Sequence, residues 1–135
     1  MVSQLVYLAC PYSHDDAAVR LARFEEANKA SAVLMRAGVL VFSPISHTHP
    51  IAQYDLPTGW DFWQRYNRAY LEICKAIVVL TIDGWAKSKG VREECGIMRE
   101  LHRSVYYFHY KEPVDELVNY LNLDGRVEQT ISAAS

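Results

Sequence analysis

The sequence predicts an α/β protein built on a parallel sheet that helices cover on both faces. Short, nearly continuous apolar runs alternate with longer segments in which apolar residues recur at the helical period. Strands buried on both faces read as continuous apolar runs, whereas half-exposed strands alternate with polar residues. The 135 residues suffice for one domain with a core and are too few for two, so we expect a single domain over residues 1–135.

The first strand and helix are predicted from an apolar run and the helix signals that follow it. The run over residues 4–9 predicts a strand that is buried on both faces. Ser13 and Asp16 match the S-x-x-D capping box that begins a long helix, about residues 14–37. Gly38 then ends the helix, because glycine adopts the left-handed conformation of helix C-termini without strain.

A short strand and a long irregular segment are expected next. The apolar run over residues 39–42 predicts the second strand, which Ser43 and Pro44 end. Residues 46–58 are rich in histidine, proline and aspartate, and the segment is too long for an ordinary connection in a compact domain. We therefore predict a functional loop there.

The second half of the chain continues the alternation of helix and strand. Because strands and helices alternate, the sheet should be parallel, and ligands of such sheets bind at the carboxyl ends of the strands. We expect a polar, loose tail over residues 124–135 with an edge strand near Val127. The predicted elements are a helix over 60–74, a strand over 76–81, a helix that begins near Ser88, a strand over 105–108 and a helix over 113–121.

Composition and charge argue against several classes of function. A net charge of −2 without a basic stripe argues against binding to a nucleic acid polymer. The longest apolar runs are too short to cross a membrane, and the N-terminus lacks the pattern of a signal peptide. Three cysteines without C-x-x-C spacing fit reduced thiols in a cytoplasmic protein, and we place Cys74 and Cys95 in the core.

The main candidate for chemistry is Glu94, in the helix that begins near Ser88. At about 100° per residue, Glu94 falls within the apolar arc of that helix, whereas Glu93 points to the opposite, polar side. A carboxylate on the packed face of a helix is costly unless it is used or paired. An ion pair with an arginine, or a side chain that reaches solvent at the first turn, remains the structural alternative.

Polar residues on this helix and on the preceding one are candidate ligand contacts. Ser88 and Gly90 offer a hydroxyl and backbone N–H groups that together can bind an anion, although Ser88 can equally be an ordinary N-cap. Asn67 lies within the apolar arc of the preceding helix and is either a core amide or a ligand contact. Asp61 lies on the polar face at i,i+4 spacing from Arg65, which predicts a surface ion pair.

Tyr7 and three histidines also carry reactive groups. Tyr7 lies in mid-strand, where an aromatic ring is usually core, but its buried hydroxyl needs a partner that a carboxylate could supply. His47 and His49 form an H-x-H pair to which His14 could add a third metal ligand. A metal-dependent hydrolase is therefore kept as a third hypothesis, although we expect neither a metal nor another cofactor.

Two motifs carry a resemblance to a known family. The segment 7–13, Y-L-A-C-P-Y-S, resembles the Y-L-[AS]-G-P opening of the nucleoside 2-deoxyribosyltransferase superfamily. The segment 88–96 is similar to its S-x-G-V-x-x-E-x-G signature, best known in the 2′-deoxynucleoside 5′-phosphate N-hydrolases. The resemblance covers about residues 4–110, and the S-P-I-x-H and G-W-x-x-S segments at 43–47 and 84–88 resemble an uncharacterised bacterial and phage branch.

The resemblance implies both a fold and a reaction. The fold would be a flavodoxin-like three-layer sandwich with a four- or five-stranded parallel sheet. The reaction would be cleavage or transfer at the N-glycosidic bond of a (deoxy)nucleoside or its 5′-monophosphate. In the family, the glutamate that matches Glu94 forms a covalent glycosyl-enzyme, and the tyrosine that matches Tyr7 orients it. The residues that match Ser88 and Gly90 contact the phosphate. Relatives are dimers or larger, so we expect a homo-oligomer, either a dimer or a tetramer.

The chain departs from the family at the proton donor. The family's general-acid aspartate falls on Asn67, whose amide lacks the acidity of a carboxyl group. The substrate then has a leaving group that needs no acid, or His47, His14 or Asp55 supplies the proton, or the chain is a nucleotide-binding and sensing module without turnover. Cys10, in place of a glycine of the family, adds bulk beside the ligand.

The candidate site therefore has catalytic and substrate-binding members, and its partner would be a small nucleoside or nucleotide. The catalytic candidates are Glu94, Tyr7 and Asn67, and the substrate-binding candidates are Ser88, Gly90, Pro11, Ser13 and His47.

Overall fold

A computed structural model describes residues 4–123 and 125–130 and contains alternating strands and helices. Most boundaries agree with the predicted ones to within two residues. Among the described residues, no helix has both the length and the apolar character needed to cross a membrane. The elements, in chain order, are β1 (Val6–Ala9), α1 (Ala17–Arg36), β2 (Val41–Phe42), α2 (Pro44–Ala52), α3 (Trp60–Ile73), β3 (Ala76–Leu80), a 3₁₀ turn (Trp85–Lys87), α4 (Lys89–Glu100), β4 (Ser104–Phe108) and α5 (Asp115–Leu121).

The four strands form one parallel sheet in the order β2-β1-β3-β4, which confirms the predicted flavodoxin-like fold class. In the register, Val6 lies opposite Val41 on one side and Ala76 on the other. Beyond β4, Glu128 forms a single parallel bridge with Val105, where the sequence predicts an edge strand. Residues 124 and 131–135 of the predicted loose tail lie outside the described residues, so that prediction stays untested.

Two apolar clusters, one on each face of the sheet, make the three layers. Alternate residues of each strand point to opposite faces, so Val6 and Leu8 enter one cluster while Tyr7 and Ala9 enter the other. The first cluster packs the sheet against α1, α2 and α5, and the second packs it against α3 and α4. The strands are therefore buried on both faces, as their continuous apolar runs predict.

The start of α1 differs from the prediction. Asp16, rather than Ser13, is the N-cap, because its carboxylate accepts a hydrogen bond from the Ala18 N–H at 2.8 Å. Ser13 instead donates its hydroxyl hydrogen bond to the Thr58 carbonyl at 3.2 Å. The predicted capping box is wrong because the Ser13 hydroxyl bonds to a distant residue. The Asp16 carboxylate alone accepts a hydrogen bond from an N–H group of the first turn.

The predicted irregular loop over residues 46–58 is also wrong, because α2 occupies most of it. Ser43 is the N-cap of α2 and Pro44 occupies its first turn, so the pair that was expected to end a strand begins a helix. Pro50 lies inside this short helix. A shorter connection, 53–59, leads to α3 and contains Asp55 with a positive φ of 66°.

The strand order opens a crevice between β1 and β3. The chain leaves β1 toward β2 on one side and leaves β3 toward β4 on the other. The connections that follow these two neighbouring strands therefore diverge, and in open parallel sheets ligands bind at such a point. Residues 10–16 follow β1 and residues 81–88 follow β3 at this edge.

Candidate functional site

Glu94 and Tyr7 form a buried pair between α4 and β1. Glu94 is 5% exposed and lies on the packed face of α4, as the helical period predicts. The Tyr7 hydroxyl, on a fully buried side chain, donates a hydrogen bond to Glu94 Oε2. Among the described residues, no arginine forms an ion pair with Glu94. The ion pair that the sequence allowed as a purely structural role for this carboxylate is therefore not observed.

Burial dominates the acid–base behaviour of both members of this pair. Desolvation raises the pKa of Glu94 to about 8, and the hydrogen bond from Tyr7 offsets part of that effect. Burial, followed by the charge of Glu94, raises the pKa of Tyr7 well above its usual range. The tyrosine therefore remains a hydrogen-bond donor, and the carboxyl group is poised to gain or lose its proton near neutral pH.

The raised pKa of Glu94 predicts a pH-dependent cost in stability. Its pKa is about 8 in the folded protein against an ordinary value of 4.5, so the folded state holds this proton more tightly than the unfolded chain. The contribution of Glu94 to the free energy of unfolding is then fully present below pH 4.5 and lost as pH rises to about 8. A pKa difference of this size corresponds to roughly 5 kcal/mol.

The Glu94→Gln variant should remove this dependence, because the amide does not titrate and its carbonyl still accepts from Tyr7. Its free energy of unfolding should match that of the wild type near pH 4 and exceed it by several kcal/mol at pH 8.5. Urea denaturation at both pH values measures the difference, with the exposed neighbour Glu93→Gln as the control. Parallel pH profiles for all three proteins would contradict the assignment.

A cavity of about 560 Å³ lies at the carboxyl ends of β1 and β3 and contains Glu94 in its wall. Its size falls within the usual range for small-molecule sites. The structure brings five of the predicted site residues to this cavity, from three separate segments of the chain. They are Glu94, Asn67, Ser88, Gly90 and Ser13, and Tyr7 lies behind Glu94.

The first turn of α4 presents unused backbone donors to the cavity. The Ser88 hydroxyl is the N-cap and accepts a hydrogen bond from the Val91 N–H at 3.2 Å. The N–H groups of Lys89 and Gly90 have no acceptor within the part of the chain that the structure describes. A Cβ at Gly90 would meet Trp60 at an ordinary 3.5 Å, so packing within the protein does not require a glycine there.

Asn67 opens onto the cavity without a protein partner. Its side chain is 8% exposed, and its amide makes no hydrogen bond to any of the described residues. An amide that faces a cavity and has no protein partner is available to a ligand. This residue therefore fits a ligand contact better than a bonded core amide.

Asp61 is a surface residue, as predicted, but its expected ion pair with Arg65 is not observed. Its carboxylate instead pairs with Lys89 at 3.7 Å, across the rim of the cavity. Both side chains are largely exposed, at 89% and 61%, so this pair contributes little to stability.

Two predicted substrate-binding residues are not in the cavity wall. His47 is exposed on α2, and its ring lies edge-on to Tyr70 with the centroids 6.5 Å apart. Pro11 is buried, and its carbonyl accepts a hydrogen bond from the Cys10 thiol at 3.4 Å. The α2 helix turns His47 away because Ile45 and Thr48 are the residues of this helix that face the cavity.

The three histidines considered as metal ligands have separate partners. His14 Nδ1 accepts the Asp16 N–H at 3.0 Å, and His49 Nδ1 is bonded to the Tyr12 hydroxyl at 2.6 Å. Among the described residues, no group of three or more histidine, cysteine, aspartate or glutamate side chains could hold a metal ion. Of the proposed replacement proton donors, His14 lines the cavity, whereas His47 and Asp55 do not.

Cysteine chemistry is suppressed by burial. Cys74 and Cys95 are buried in the core as predicted, and both are free thiols. Cys10 lines the cavity at 5% exposure, and burial raises the pKa of its thiol to about 12. A thiol with so high a pKa is a weak nucleophile at neutral pH, so Cys10 shapes the cavity wall rather than reacting there.

Sequence reasoning missed Arg23 and Lys87, two cations that line the cavity. Arg23 shares a face of α1 with Ala27, Ala30 and Leu34, which are buried at i+4, i+7 and i+11. That spacing was a signal in the sequence that could have placed a charged group against the sheet. Lys87 lies in the 3₁₀ turn, which is too short for a pattern of apolar residues to predict where its side chain points.

Comparison with known proteins gives a family without an assigned activity. The family model described as "Domain of unknown function (DUF1937)" matches residues 4–110. No curated protein gave a significant match to the chain.

Proposed function

The chain belongs to the DUF1937 family, whose description names no activity, and we propose that it cleaves or transfers at the N-glycosidic bond of a (deoxy)nucleoside or its 5′-monophosphate. The observation that carries the proposal is a buried carboxylate, Glu94, that is bonded to the Tyr7 hydroxyl and lines a cavity of ligand size. The resemblance to the nucleoside 2-deoxyribosyltransferase superfamily supplies the reaction type.

In the proposed mechanism, Glu94 is the nucleophile. Tyr7 occupies Oε2, which leaves Oε1 to attack the anomeric carbon of the sugar. The carbon–oxygen bond forms as the bond to the base nitrogen breaks, and the electron pair of that bond leaves with the base. Water or a second base then attacks the same carbon, the bond to Glu94 breaks and returns the carboxylate, and the proton that the attacking molecule loses is taken up by the base anion that departed in the first step. Tyr7 is a positioning residue, because it holds Glu94 and does not line the cavity.

The remaining wall residues would bind the two ends of the substrate. Asn67 donates a hydrogen bond to the departing base, which stabilises negative charge there without transferring a proton. Ser88 and the N–H of Gly90 contact the sugar or its phosphate. Trp63 offers an aromatic face for the base, and its Nε1–H donates to the Pro57 carbonyl at 2.7 Å, which fixes the ring.

Incubation of the protein with a panel of nucleosides and nucleoside 5′-monophosphates tests this proposal. We expect free base to accumulate from at least one member, measured by chromatography. A 2-deoxy-2-fluoro analogue slows release of the glycosyl-enzyme, so intact mass should show a sugar adduct. A panel that yields neither free base nor adduct would reject the glycosidic reaction.

A second candidate function is a nucleotide-binding and sensing module without turnover. Two observations favour it. The cavity holds an amide at Asn67 where a proton donor would be expected, and burial raises the pKa of Glu94 to about 8, which disfavours the ionised form that a nucleophile needs. In that case, ligands from the same panel would raise the melting temperature without any release of base. A homo-oligomer and a cytoplasmic location remain predictions.

A further inference from the structure

The described residues of the cavity wall include no carboxyl or thiol group that could protonate a departing base. The carboxyl groups that line the cavity are those of Glu94, which is the proposed nucleophile, and Asp61. The Asp61 side chain is 89% exposed and lies 3.7 Å from the Lys89 ammonium, and a carboxylate in such an ion pair is not a proton donor. Burial raises the pKa of the Cys10 thiol to about 12, which makes it too weak an acid for this role.

The hydrogen bonds of the histidine and tyrosine side chains in the wall also argue against a proton donor. His14 Nδ1 accepts the Asp16 N–H at 3.0 Å, so this nitrogen carries no proton and the imidazole is neutral. The Tyr12 hydroxyl is bonded to His49 Nδ1 at 2.6 Å. Burial raises the pKa of Tyr12 and lowers the pKa of His49, so this pair is a neutral phenol and a neutral imidazole. Lysine and arginine, the other ionisable types in the wall, are weak acids at neutral pH.

A base that leaves easily without a proton is one that carries positive charge before the bond breaks. A neutral purine or pyrimidine departs as an anion unless an acid protonates it. In a pyridinium or N7-alkylpurinium glycoside, the electron pair of the broken carbon–nitrogen bond neutralises the cationic ring, and the base leaves as a neutral molecule. Water then displaces Glu94 from the anomeric carbon and loses its proton to solvent, so atoms and charge balance.

The wall that α3 supplies suits a positively charged aromatic ring. The Trp63 ring is held by its Nε1–H, which donates to the Pro57 carbonyl at 2.7 Å, and by edge-on contact with Phe62, with the ring centroids 4.9 Å apart. The face of an indole ring attracts a cation, and more strongly when water is excluded. The cations of the wall belong to α1, the 3₁₀ turn and α4, whereas α3 contributes Trp60, Asp61, Trp63 and Asn67.

We infer that the preferred substrate is an N-glycoside of a positively charged heteroaromatic base, either a pyridinium or an N7-alkylated purine, rather than of a neutral base. The inference rests on the proposed function, because it keeps Glu94 as the nucleophile, and it narrows the class of leaving group. The Asn67 amide then contacts a base that needs no proton, which is why an amide suffices at this position.

Matched pairs of substrates test the inference through the rate of base release. Guanosine and 7-methylguanosine differ by one methyl group and one positive charge, and each is supplied as the nucleoside and as the 5′-monophosphate. Nicotinamide riboside and its neutral dihydro form distinguish a pyridinium from an alkylated purine. After subtraction of spontaneous release, we expect kcat/KM to be about 10²-fold or more higher for the cationic member of at least one pair, since no acid assists the neutral member.

The Trp63→Leu variant tests whether the positive charge is recognised on binding, apart from the chemistry. Its dissociation constant for 7-methylguanosine 5′-monophosphate should rise about 5- to 30-fold more than its constant for guanosine 5′-monophosphate, because a cation–π contact is lost. Trp63→Phe keeps an aromatic face, so it should retain most of the preference, and it covers the case in which the leucine variant does not fold. Tyr54→Leu removes an aromatic ring that is 82% exposed and outside the cavity wall, and should bind both ligands normally.

The outcomes separate this inference from the proposed function. Release of base from the neutral members as fast as from the cationic ones would overturn the inference and leave the glycosidic reaction standing. Equal weakening of both ligands in Trp63→Leu would also overturn the inference, because the charge would not be recognised at this wall. Release of base from no member of either pair would overturn both.

Discussion

The Glu94→Gln variant is expected to lose release of free base by about 10³-fold or more, because an amide oxygen cannot act as the nucleophile. Glutamine keeps the shape of the side chain, and its carbonyl can still accept the hydrogen bond from Tyr7. The cavity and its binding of nucleotide should therefore survive. The rate of base release from the best substrate of the panel, measured with dissociation constants for the same ligand, separates lost chemistry from lost binding.

Glu93→Gln is the matched control for this experiment. It makes the same chemical change one residue earlier, on the exposed face of α4, and should leave the release rate unchanged. Intact mass with the fluorinated analogue gives a second readout, since the adduct should form in the wild type and in the control but not in Glu94→Gln. Equal release from the wild type and Glu94→Gln would reject Glu94 as the nucleophile.

The Asn67→Asp variant is expected to raise the rate of base release by about 10²-fold or more, because it places a carboxylic acid beside the departing base. A positioned general acid typically accelerates such reactions about 10²- to 10⁴-fold. The position is 8% exposed, and burial would raise the pKa of the new carboxyl group and keep it protonated closer to neutral pH. Base release from a purine nucleotide over a range of pH measures the effect.

Two further measurements test whether the effect of Asn67→Asp comes from an acid beside the departing base. Asn67→Ala removes the hydrogen bond to the base and should slow the reaction rather than accelerate it. A substrate whose base leaves without protonation, such as a 7-methylpurine nucleotide, should gain little from Asn67→Asp, because it needs no acid. A rate unchanged by Asn67→Asp on every substrate would show that this position does not face the leaving group.

The periodicity of apolar residues predicted most of the helices and strands. It failed where a contact with a distant segment of the chain decides the local structure. The continuous apolar strands, the α3 and α4 helices and the inward side of Glu94 all follow from periodicity. The start of α1 was misplaced because Ser13 bonds to Thr58, a residue distant in the chain. The α2 helix was missed because Ser43 and Pro44 can end a strand or begin a helix, and only packing against α1 and the sheet decides between them.

The sequence by itself determined the fold class and the direction of Glu94, because a helix turns by about 100° per residue and a buried strand is apolar throughout. The tertiary structure alone decided what surrounds that carboxylate. Tyr7 reaches it from a strand 87 positions away, Arg23 enters the cavity from the opposite layer, and His47 is turned away by α2. Such contacts depend on how helices and strands pack across the sheet, and no local period of the sequence encodes that packing.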